Sequence, residues 1–254
     1  EEMLKEIEEK SKKLALGLNV KGLLNIQFAI KDEELFILEA NPRASRTMPF
    51  VAKVTGNQII KAGTLLMLGY SIDEVRNKTK YLSSSSNKVA IKKAIFPWSR
   101  FPAEDTMLGP EMKATGEVLG VGKEFGTALN KAYAAAGVEI NNKEKGIFVT
   151  LSDSEKPNFI QTVNKYLELG FTLYSTEGTG KFLKTNGIDS VIVGKADDLG
   201  QTSLTIIEDK LVSLVINTPT YANELSDGWK IRRLSHETGV AVVSSVREAD
   251  AFIE

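Results

Sequence analysis

The second half of the chain alternates short, almost continuously apolar segments with helical ones. The apolar segments are GIFVTLS (146–152), FTLYST (171–176), SVIVGK (190–195), LVSLVINT (211–218) and VAVVSS (240–245). Helical patterns fall between and after them, at 156–169, 180–186, 202–208, 229–238 and 247–254. Strands that are apolar on both faces and separated by helices are typical of a parallel sheet covered by helices on both sides. We therefore predict a doubly wound α/β domain over residues 141–254.

The first half follows a different plan. Residues 2–17 show the spacing of an amphipathic helix, and GLLNIQFAI (22–30) and LFILEAN (35–41) flank the turn KDEE as a β-hairpin. Further predicted elements are a helix over 49–69 that is broken or bent near Gly56, a strand over 88–98 and a helix over 123–137. The polar run NNKEK (141–145) is the predicted boundary, so this α+β domain covers residues 1–140.

Composition excludes several classes of function. The 32 basic residues balance 33 acidic ones, which gives no electrostatic reason to expect nucleic acid or a membrane surface as a partner. The chain has no cysteine, so disulfides and thiolate metal sites are excluded. Its single histidine, His236, is expected at the surface or at a helix cap rather than in a catalytic triad.

The ends of the chain and its hydropathy bear on location. No apolar run approaches the ~18 residues of a membrane helix, and no signal peptide is present, so we expect a cytoplasmic protein. The sequence starts without an initiator methionine, inside the charged amphipathic segment EEMLKEIEEK. We therefore expect a piece of a longer protein.

Polar side chains cluster where the predicted hairpin ends, in ILEANPRASRT (37–47). If the turn centres on Glu33, Gln27 lies opposite Glu39 on the partner strand, and Glu39 and Asn41 share one face because side chains alternate along a strand. Carboxylate and amide oxygens suit a hard cation that shares its shell with phosphates. Gln27, Glu39 and Asn41 are therefore candidate ligands of Mg²⁺ or Mn²⁺.

Two arginines follow this cluster directly. Arg43 and Arg46 carry planar guanidinium groups that can hold phosphate oxygens with two hydrogen bonds at once. The alternative is a solvated surface cluster of ion pairs, which stabilises a protein by ~1 kcal/mol or less.

Phosphate-compatible residues also follow four of the predicted strands in the second domain. Backbone N–H groups at helix starts bind anions, and ligands of doubly wound sheets lie beyond the carboxyl ends of the strands. The candidate binding residues are Lys156, Thr176, Gly178, Thr179, Lys195, Asn217 and Thr218. The alternative is ordinary helix capping, since Thr and Gly are common at helix starts.

A family resemblance covers nearly the whole chain. GLLNIQFAI with LEANPRASRTMPFVAKVTG resembles the last hairpin of an ATP-grasp ligase, in the second synthetase half of the carbamoyl-phosphate synthase large chain. NKVAIKKAIFPWSRFPAEDTMLGPEMKATGEVLGVG (87–122) resembles the segment that closes the same domain. Residues 146–254 resemble the family's regulatory domain, which shares its fold with methylglyoxal synthase.

The resemblance implies roles for the candidate residues. Gln27, Glu39 and Asn41 would hold the metal on ATP phosphates, and Arg43 and Arg46 would stabilise the phosphoryl group transferred to carbamate. The seven residues of the second domain would bind a nucleoside monophosphate, with UMP favoured over IMP; other relatives bind N-acetylglutamate.

The resemblance also implies partners. A glutaminase small subunit and upstream ATP-grasp lobes are expected, and a homo-oligomer is a candidate assembly. The sequence shows no glycine-rich phosphate loop before residue 20, so we expect half of an ATP site and no activity from this chain alone.

Two other functions stay open at this point. The second domain could be a phosphate lyase like methylglyoxal synthase, although Asp153, Asp189 and Asp197 do not fall at the matching positions. It could also be a scaffold module that binds no nucleotide. Isothermal titration with the candidate effectors distinguishes a scaffold module, which would give no binding heat, from a regulatory domain.

Overall fold

The computed structural model divides the chain into two contact units, Glu1–Asn87 and Lys88–Glu254. The structure describes residues 1–80, 87–101, 106, 112, 114–138, 144–218 and 226–253. The predicted domain boundary between residues 140 and 141 lies outside the described residues and stays a prediction.

The N-terminal unit is a helix, a hairpin and three further helices. Its elements are α1 (Glu2–Gly17), β1 (Asn25–Lys31), β2 (Glu34–Asn41), α2 (Thr47–Thr55), α3 (Ile59–Met67) and α4 (Ile72–Lys78). Strands β1 and β2 pair antiparallel, as predicted. The predicted break near Gly56 is confirmed, because this residue ends α2 in the left-handed conformation, with a φ of 71°. Helix α4 was not predicted, although Ser71 and Glu74 form a capping box at its start.

The N-terminal unit buries few of its apolar side chains. Among its described hydrophobic residues only Leu35 and Val75 are fully buried. Leu16, Met67 and Leu68 are each about 70–80% exposed. Exposed apolar area on this scale is typical of a surface that another protein segment covers.

The C-terminal unit begins with an antiparallel pair and continues as an α/β domain. The first elements are β3 (Val89–Ile95), a 3₁₀ turn (Trp98–Arg100), β4 (Gly116–Gly122) and α5 (Phe125–Ala135). The α/β part comprises β5 (Gly146–Thr150), α6 (Lys156–Glu168), β6 (Leu173–Thr176), α7 (Glu177–Thr185), β7 (Val191–Val193), α8 (Thr205–Glu208), β8 (Val212–Asn217), α9 (Asp227–Thr238), β9 (Ala241–Val243) and α10 (Val246–Ala251). Strand β4, which pairs with β3, was not predicted.

The five strands β5 to β9 form one parallel sheet in the order β7-β6-β5-β8-β9. Ile147 and Phe148 are neighbours on the central strand β5 and are almost completely buried on opposite faces. One face packs against Phe159 of α6, and the other against Ile206 of α8. Helices thus cover both faces, and the predicted fold class is confirmed. Each fully buried side chain of this size stabilises the fold by roughly 1.5–3 kcal/mol.

Helix α5 joins the antiparallel pair to the end of the chain. The Tyr133 ring meets the Phe252 ring edge-on at 4.7 Å between centroids. Asn130 Nδ2 donates to the Phe252 carbonyl oxygen at 3.4 Å. Within the described ranges no helix has both the length and the apolar character needed to cross a bilayer.

Candidate functional site

The hairpin brings the three predicted metal ligands together. Gln27 pairs with Glu39, and Asn25 pairs with Asn41, as predicted. Gln27 Nε2 donates to Glu39 Oε1 at 2.6 Å, and Asn41 Nδ2 donates to the same oxygen at 2.9 Å. The Gln27 and Glu39 side chains are exposed. The end of the hairpin therefore presents one carboxylate between two amides.

A β-bulge sets this alignment. The turn is a two-residue turn, since Asp32 and Glu33 have φ values of 50° and 63° and Lys31 pairs with Glu34. From such a turn an unbroken ladder places Gln27 opposite Leu38. The structure instead pairs Phe28 with Ile37 and Gln27 with Glu39, which leaves Leu38 as the extra residue. The bulge therefore turns Glu39 onto the face that carries Gln27.

The two predicted phosphate-binding arginines lie on the segment that leaves the hairpin. The Arg43 backbone N–H donates to the Asn41 carbonyl at 2.8 Å, and its guanidinium donates to the Ala44 carbonyl at 3.2 Å. Arg46 is the residue before helix α2, and both arginines are exposed. They therefore lie within a few residues of the carboxylate cluster, with side chains that reach solvent.

The donor set at the hairpin fits a hard cation. No group of three or more His, Cys, Asp or Glu side chains gathers around a common point among the described residues, so a cation here would depend on amide oxygens and shared ligands. Gln27 and Asn41 point amide N–H groups at Glu39, and a half-turn about the last side-chain bond would present their oxygens instead. One carboxylate with two amide oxygens suits Mg²⁺, which keeps several waters or phosphate oxygens in its shell.

A cavity of about 690 Å³ lies at the carboxyl end of the parallel sheet, where strands β5, β6 and β7 end. Its lining comes from these strand ends, from helix α7 and from the first turns of helix α9. The polar and charged lining residues are Thr150, Thr176, Glu177, Lys181, Lys184, Lys195, Asp198, Ser203 and Asp227. This volume lies within the range of small-molecule sites.

Three of the seven predicted binding residues line this cavity: Thr176, Gly178 and Lys195. Thr176 caps helix α7 in an extended conformation, and Gly178 lies in the first turn of that helix. The N-terminal end of a nine-residue helix therefore opens toward the cavity with its free N–H groups, which favours an anion there.

The other four predicted residues lie behind or beside the cavity lining. Thr179 Oγ1 accepts from the Leu151 N–H at 3.1 Å, and Thr218 Oγ1 accepts from the Ser152 N–H at 2.8 Å. Both hydroxyls are buried and tie the loop after β5 to neighbouring elements.

Asn217 and Lys156 complete this second group. Asn217 Oδ1 accepts from Arg232 Nη1 at 2.7 Å, inside the protein. Lys156 Nζ pairs with Asp153, and this bond lowers the pKa of the Asp153 carboxyl. The structure thus gives Asn217 a structural partner and keeps the Lys156 ammonium on a neighbouring carboxylate.

Several lining residues were missed at the sequence level. Lys181 and Lys184 follow Gly178 at intervals of three, which places all three on one helix face. This spacing could have identified both lysines as candidate binding residues from the sequence. Ser203 and Asp227 come from distant segments that only the fold brings to this edge. Ser203 is 1% exposed, and its Oγ has no hydrogen-bond partner in the structure. A buried hydroxyl without a partner indicates a group that a ligand can satisfy.

The electrostatics of the lining favour a negative ligand. Glu177 accepts from Lys181 Nζ at 2.7 Å, an interaction that lowers the pKa of the Glu177 carboxyl. Asp198 Oδ2 accepts from the Lys195 backbone N–H at 2.7 Å. Glu177 and Asp198 are therefore engaged within the protein, while the third acid, Asp227, lines the same space as Lys184, Lys195 and the start of α7.

The single histidine lies away from this cavity. His236 is half-buried in the last turn of α9, and its ring centroid lies 5.3 Å from that of Trp98. Burial, with Lys93 and two arginines nearby, lowers its pKa to about 4. The prediction gave a surface or capping position; the structure places the ring late in the helix, as predicted, but half-buried on the indole of Trp98.

Comparison with known proteins gives matches for both units. Residues 1–75 match the family model described as carbamoyl-phosphate synthase L chain, ATP binding domain, and residues 158–244 match the MGS-like domain. The protein from Aquifex aeolicus described as carbamoyl phosphate synthase large chain, C-terminal section, is 38% identical over 100% of this chain and 49% of its own length. Carbamoyl phosphate synthase large chains from Brucella suis and Archaeoglobus fulgidus are 40% and 41% identical over 100% and 96% of this chain, and over 22% of their own lengths.

The chain is a relative of the C-terminal part of carbamoyl phosphate synthase large chains. The resemblance drawn from the sequence motifs is thereby confirmed. The chain spans about half the length of the Aquifex relative and less than a quarter of the other two.

The two matched ranges contain the two candidate sites. The hairpin cluster of Gln27, Glu39 and Asn41 lies inside the range that matches the ATP binding domain of carbamoyl phosphate synthase. Most of the cavity lining, from Thr176 to Ile231, lies inside the MGS-like match. Each candidate site therefore lies in a different matched range.

Proposed function

We propose that this chain supplies the C-terminal part of an ATP-dependent ligase that makes carbamoyl phosphate. Its N-terminal unit would contribute metal- and phosphate-binding residues to carbamate phosphorylation, and its C-terminal unit would bind a regulatory nucleotide. The observation that carries the proposal is the meeting of Gln27, Glu39 and Asn41 on one hairpin face, inside the range that matches the ATP binding domain. The similarity over the whole chain supports both halves of it.

The chemistry is a phosphoryl transfer. A carbamate oxygen forms a bond to the γ-phosphorus of ATP while the bond from that phosphorus to the ADP oxygen breaks, giving carbamoyl phosphate and ADP. Such reactions depend mainly on positioning and on neutralisation of phosphate charge. Mg²⁺ or Mn²⁺ held by Glu39, Gln27 and Asn41 would supply part of that neutralising charge.

The arginines would act on the transferred group. In this proposal Arg43 and Arg46 donate to its equatorial oxygens, which carry the charge in the transition state. Both side chains are exposed and follow the ligand-bearing strand directly, and in this proposal they would reach a phosphate bound at Glu39. Two fixed guanidinium groups suit this role better than lysines because of their planar fork.

Other parts of the large chain would complete the ATP site. The exposed apolar side chains of the N-terminal unit, such as Leu16 and Met67, support an upstream ATP-grasp lobe as the covering partner. A glutaminase small subunit would supply ammonia, and a second copy of the chain is a further candidate partner. We also propose a cytoplasmic location.

The cavity of the C-terminal unit would hold a nucleoside monophosphate, UMP or IMP. Its phosphate would lie at the start of α7, near Thr176, Gly178 and Lys195. Thr179, Asn217 and Thr218 would fix the strand ends around the ligand through the bonds described above. Lys156 would reach the ligand by leaving Asp153, with which it pairs at the surface.

Two experiments test the proposal. Isothermal titration of this chain with UMP, IMP and N-acetylglutamate should give heat with UMP or IMP, and no heat with any of the three would favour a scaffold module. An assay of this chain for turnover of dihydroxyacetone phosphate should detect no activity. Turnover in that assay would support the lyase alternative, for which the described cavity lining offers carboxylates but no histidine.

A further inference from the structure

Helix α9 contacts the candidate effector cavity at its first turns. Asp227, Gly228 and Ile231 line the cavity directly. Arg232 is 3% exposed, and its Nη1 donates to Asn217 Oδ1 at the carboxyl end of strand β8. A Cβ atom added to Gly228 would lie 3.2 Å from Arg232 Nη1, so these residues are closely packed. A change at Gly228 would therefore be transmitted to Arg232 and to the helix.

The next residue of the same helix binds a different part of the protein. Arg233 is 6% exposed, and its two terminal nitrogens donate to the backbone carbonyls of Trp98, at 2.7 Å, and Phe101, at 2.5 Å. Its Nε donates to Glu237 Oε1 at 2.6 Å. Every nitrogen of the buried guanidinium thus has an acceptor, and two of the three acceptors are backbone atoms of residues 96–101.

Aromatic contacts reinforce this attachment. The Phe96 ring lies 4.2 Å from that of Trp98 and 5.0 Å from that of Phe101 between centroids. His236, one turn after Arg233, packs on Trp98, with 5.3 Å between the ring centroids. The segment Phe96–Phe101, which follows strand β3, is therefore held by α9 through both backbone and side chains. It lies in the region whose sequence resembles the end of the ATP-grasp domain.

We propose that helix α9 couples the cavity to the segment Phe96–Phe101, with Arg233 as the positioning residue; this inference rests on the proposed effector function. A helix moves as a rigid element, and shifts of 1–2 Å are typical of regulatory helices. A shift of that size at Gly228 exceeds the tolerance of hydrogen bonds 2.5–2.7 Å long at Arg233. Ligand binding would then favour one of two positions of the segment over the other.

Hydrogen–deuterium exchange on this chain, with and without saturating UMP or IMP, tests the coupling. In the wild type we expect the exchange of peptides covering 89–101 to change when the nucleotide binds. Arg233→Lys should retain the affinity measured by isothermal titration and lose that ligand-dependent change, since one ammonium group cannot replace the two-carbonyl fork. Equal affinity with lost response is a result that a merely structural role would not give.

Two further variants keep the test decisive. Glu237→Gln alters the exposed partner of Arg233 and should weaken the response even where Arg233→Lys fails to fold. Lys230→Met is the matched control on the same helix, because it removes only the surface pair with Asp197 and should leave the response intact. Binding heat with unchanged exchange over 89–101 in the wild type would overturn the coupling and leave the effector site standing. Absence of binding heat would overturn the effector function and the coupling with it.

Discussion

Glu39 lies directly opposite Gln27 on the neighbouring strand, and its Oε1 accepts hydrogen bonds from both Gln27 and Asn41. This arrangement concentrates three oxygen-bearing side chains at one end of a hairpin. Glu39 is the one carboxylate among these three side chains, so its negative charge is the property that a substitution should remove.

Glu39→Gln in the full large chain should therefore reduce carbamate phosphorylation. The substitution keeps the shape and removes the negative charge, and loss of one preorganised electrostatic contact costs about 10²–10³-fold in rate. The measurement is ATP formation from carbamoyl phosphate and ADP. Glu34→Gln, at the turn end of the same hairpin, is the matched control and should leave the rate unchanged. Equal rates in the wild type and Glu39→Gln would refute the assignment.

Deletion of Leu38 removes the bulge without changing the pairing of Glu39. From the two-residue turn the shortened strand forms an unbroken ladder that still places Glu39 opposite Gln27 and on the same face. The rate of ATP formation should therefore stay close to that of the wild type. Leu38→Ala shortens a side chain that is 64% exposed and keeps the bulge, so its rate should also match the wild type. A folded deletion variant with a rate as low as that of Glu39→Gln would show that pairing with Gln27 is not what positions Glu39.

The hairpin shows what the sequence could and could not predict. The predicted pairing of Gln27 with Glu39 is confirmed, but the assumed turn centre at Glu33 is not, because the turn lies between Asp32 and Glu33. The turn alone would pair Gln27 with Leu38, and the bulge at Leu38 shifts the register by one residue, which restores the predicted pair. A bulged leucine has no distinguishing local pattern, so the bulge could be seen only in the structure.

The C-terminal unit gives a similar contrast. Continuous apolar runs were sufficient to predict all five parallel strands, because burial on both faces leaves that pattern. Strand β4 was missed since Gly116, Gly120 and Gly122 interrupt any alternation. Ser203 and Asp227 were missed because residues from separate loops meet only through the strand order.

Gly120 is predicted to be essential for packing. A Cβ atom there would clash with the Ala128 carbonyl and lie 2.6 Å from the Ala132 N–H nitrogen, both in the backbone of α5. Gly120→Ala should therefore lower the free energy of unfolding of the C-terminal unit by about 1–3 kcal/mol or more. Gly178→Ala is the control, since no atom lies within 4 Å of its added Cβ, and it should be neutral or slightly stabilising. Urea denaturation monitored by circular dichroism measures both, and equal midpoints would contradict the packing argument.

Nucleotide affinity should depend on residues that the sequence did not reveal. Ser203→Ala removes the buried hydroxyl that lacks a partner, and one hydrogen bond of about 1 kcal/mol corresponds to roughly fivefold weaker binding. Lys184→Met removes a cation from the cavity wall and should weaken binding further, with a smaller salt dependence than the wild type. Lys210→Met, just before β8 and outside this lining, should change nothing. Isothermal titration with UMP and IMP would contradict the assignment if Ser203→Ala and Lys184→Met both bound like the wild type.

His236 should make stability depend on pH below neutrality. Burial, followed by the nearby charges of Lys93 and two arginines, lowers its pKa from 6.5 to about 4. The unfolded state therefore binds the proton more readily than the folded state, so stability falls as the pH drops from about 6.5 toward 4. At pH 5 this loss amounts to about 2 kcal/mol. His236→Gln removes the titrating group, so its unfolding free energy should fall less than that of the wild type between pH 7.5 and pH 5. Urea denaturation of both proteins at the two pH values measures the difference, and parallel losses would show that His236 titrates normally in the folded state.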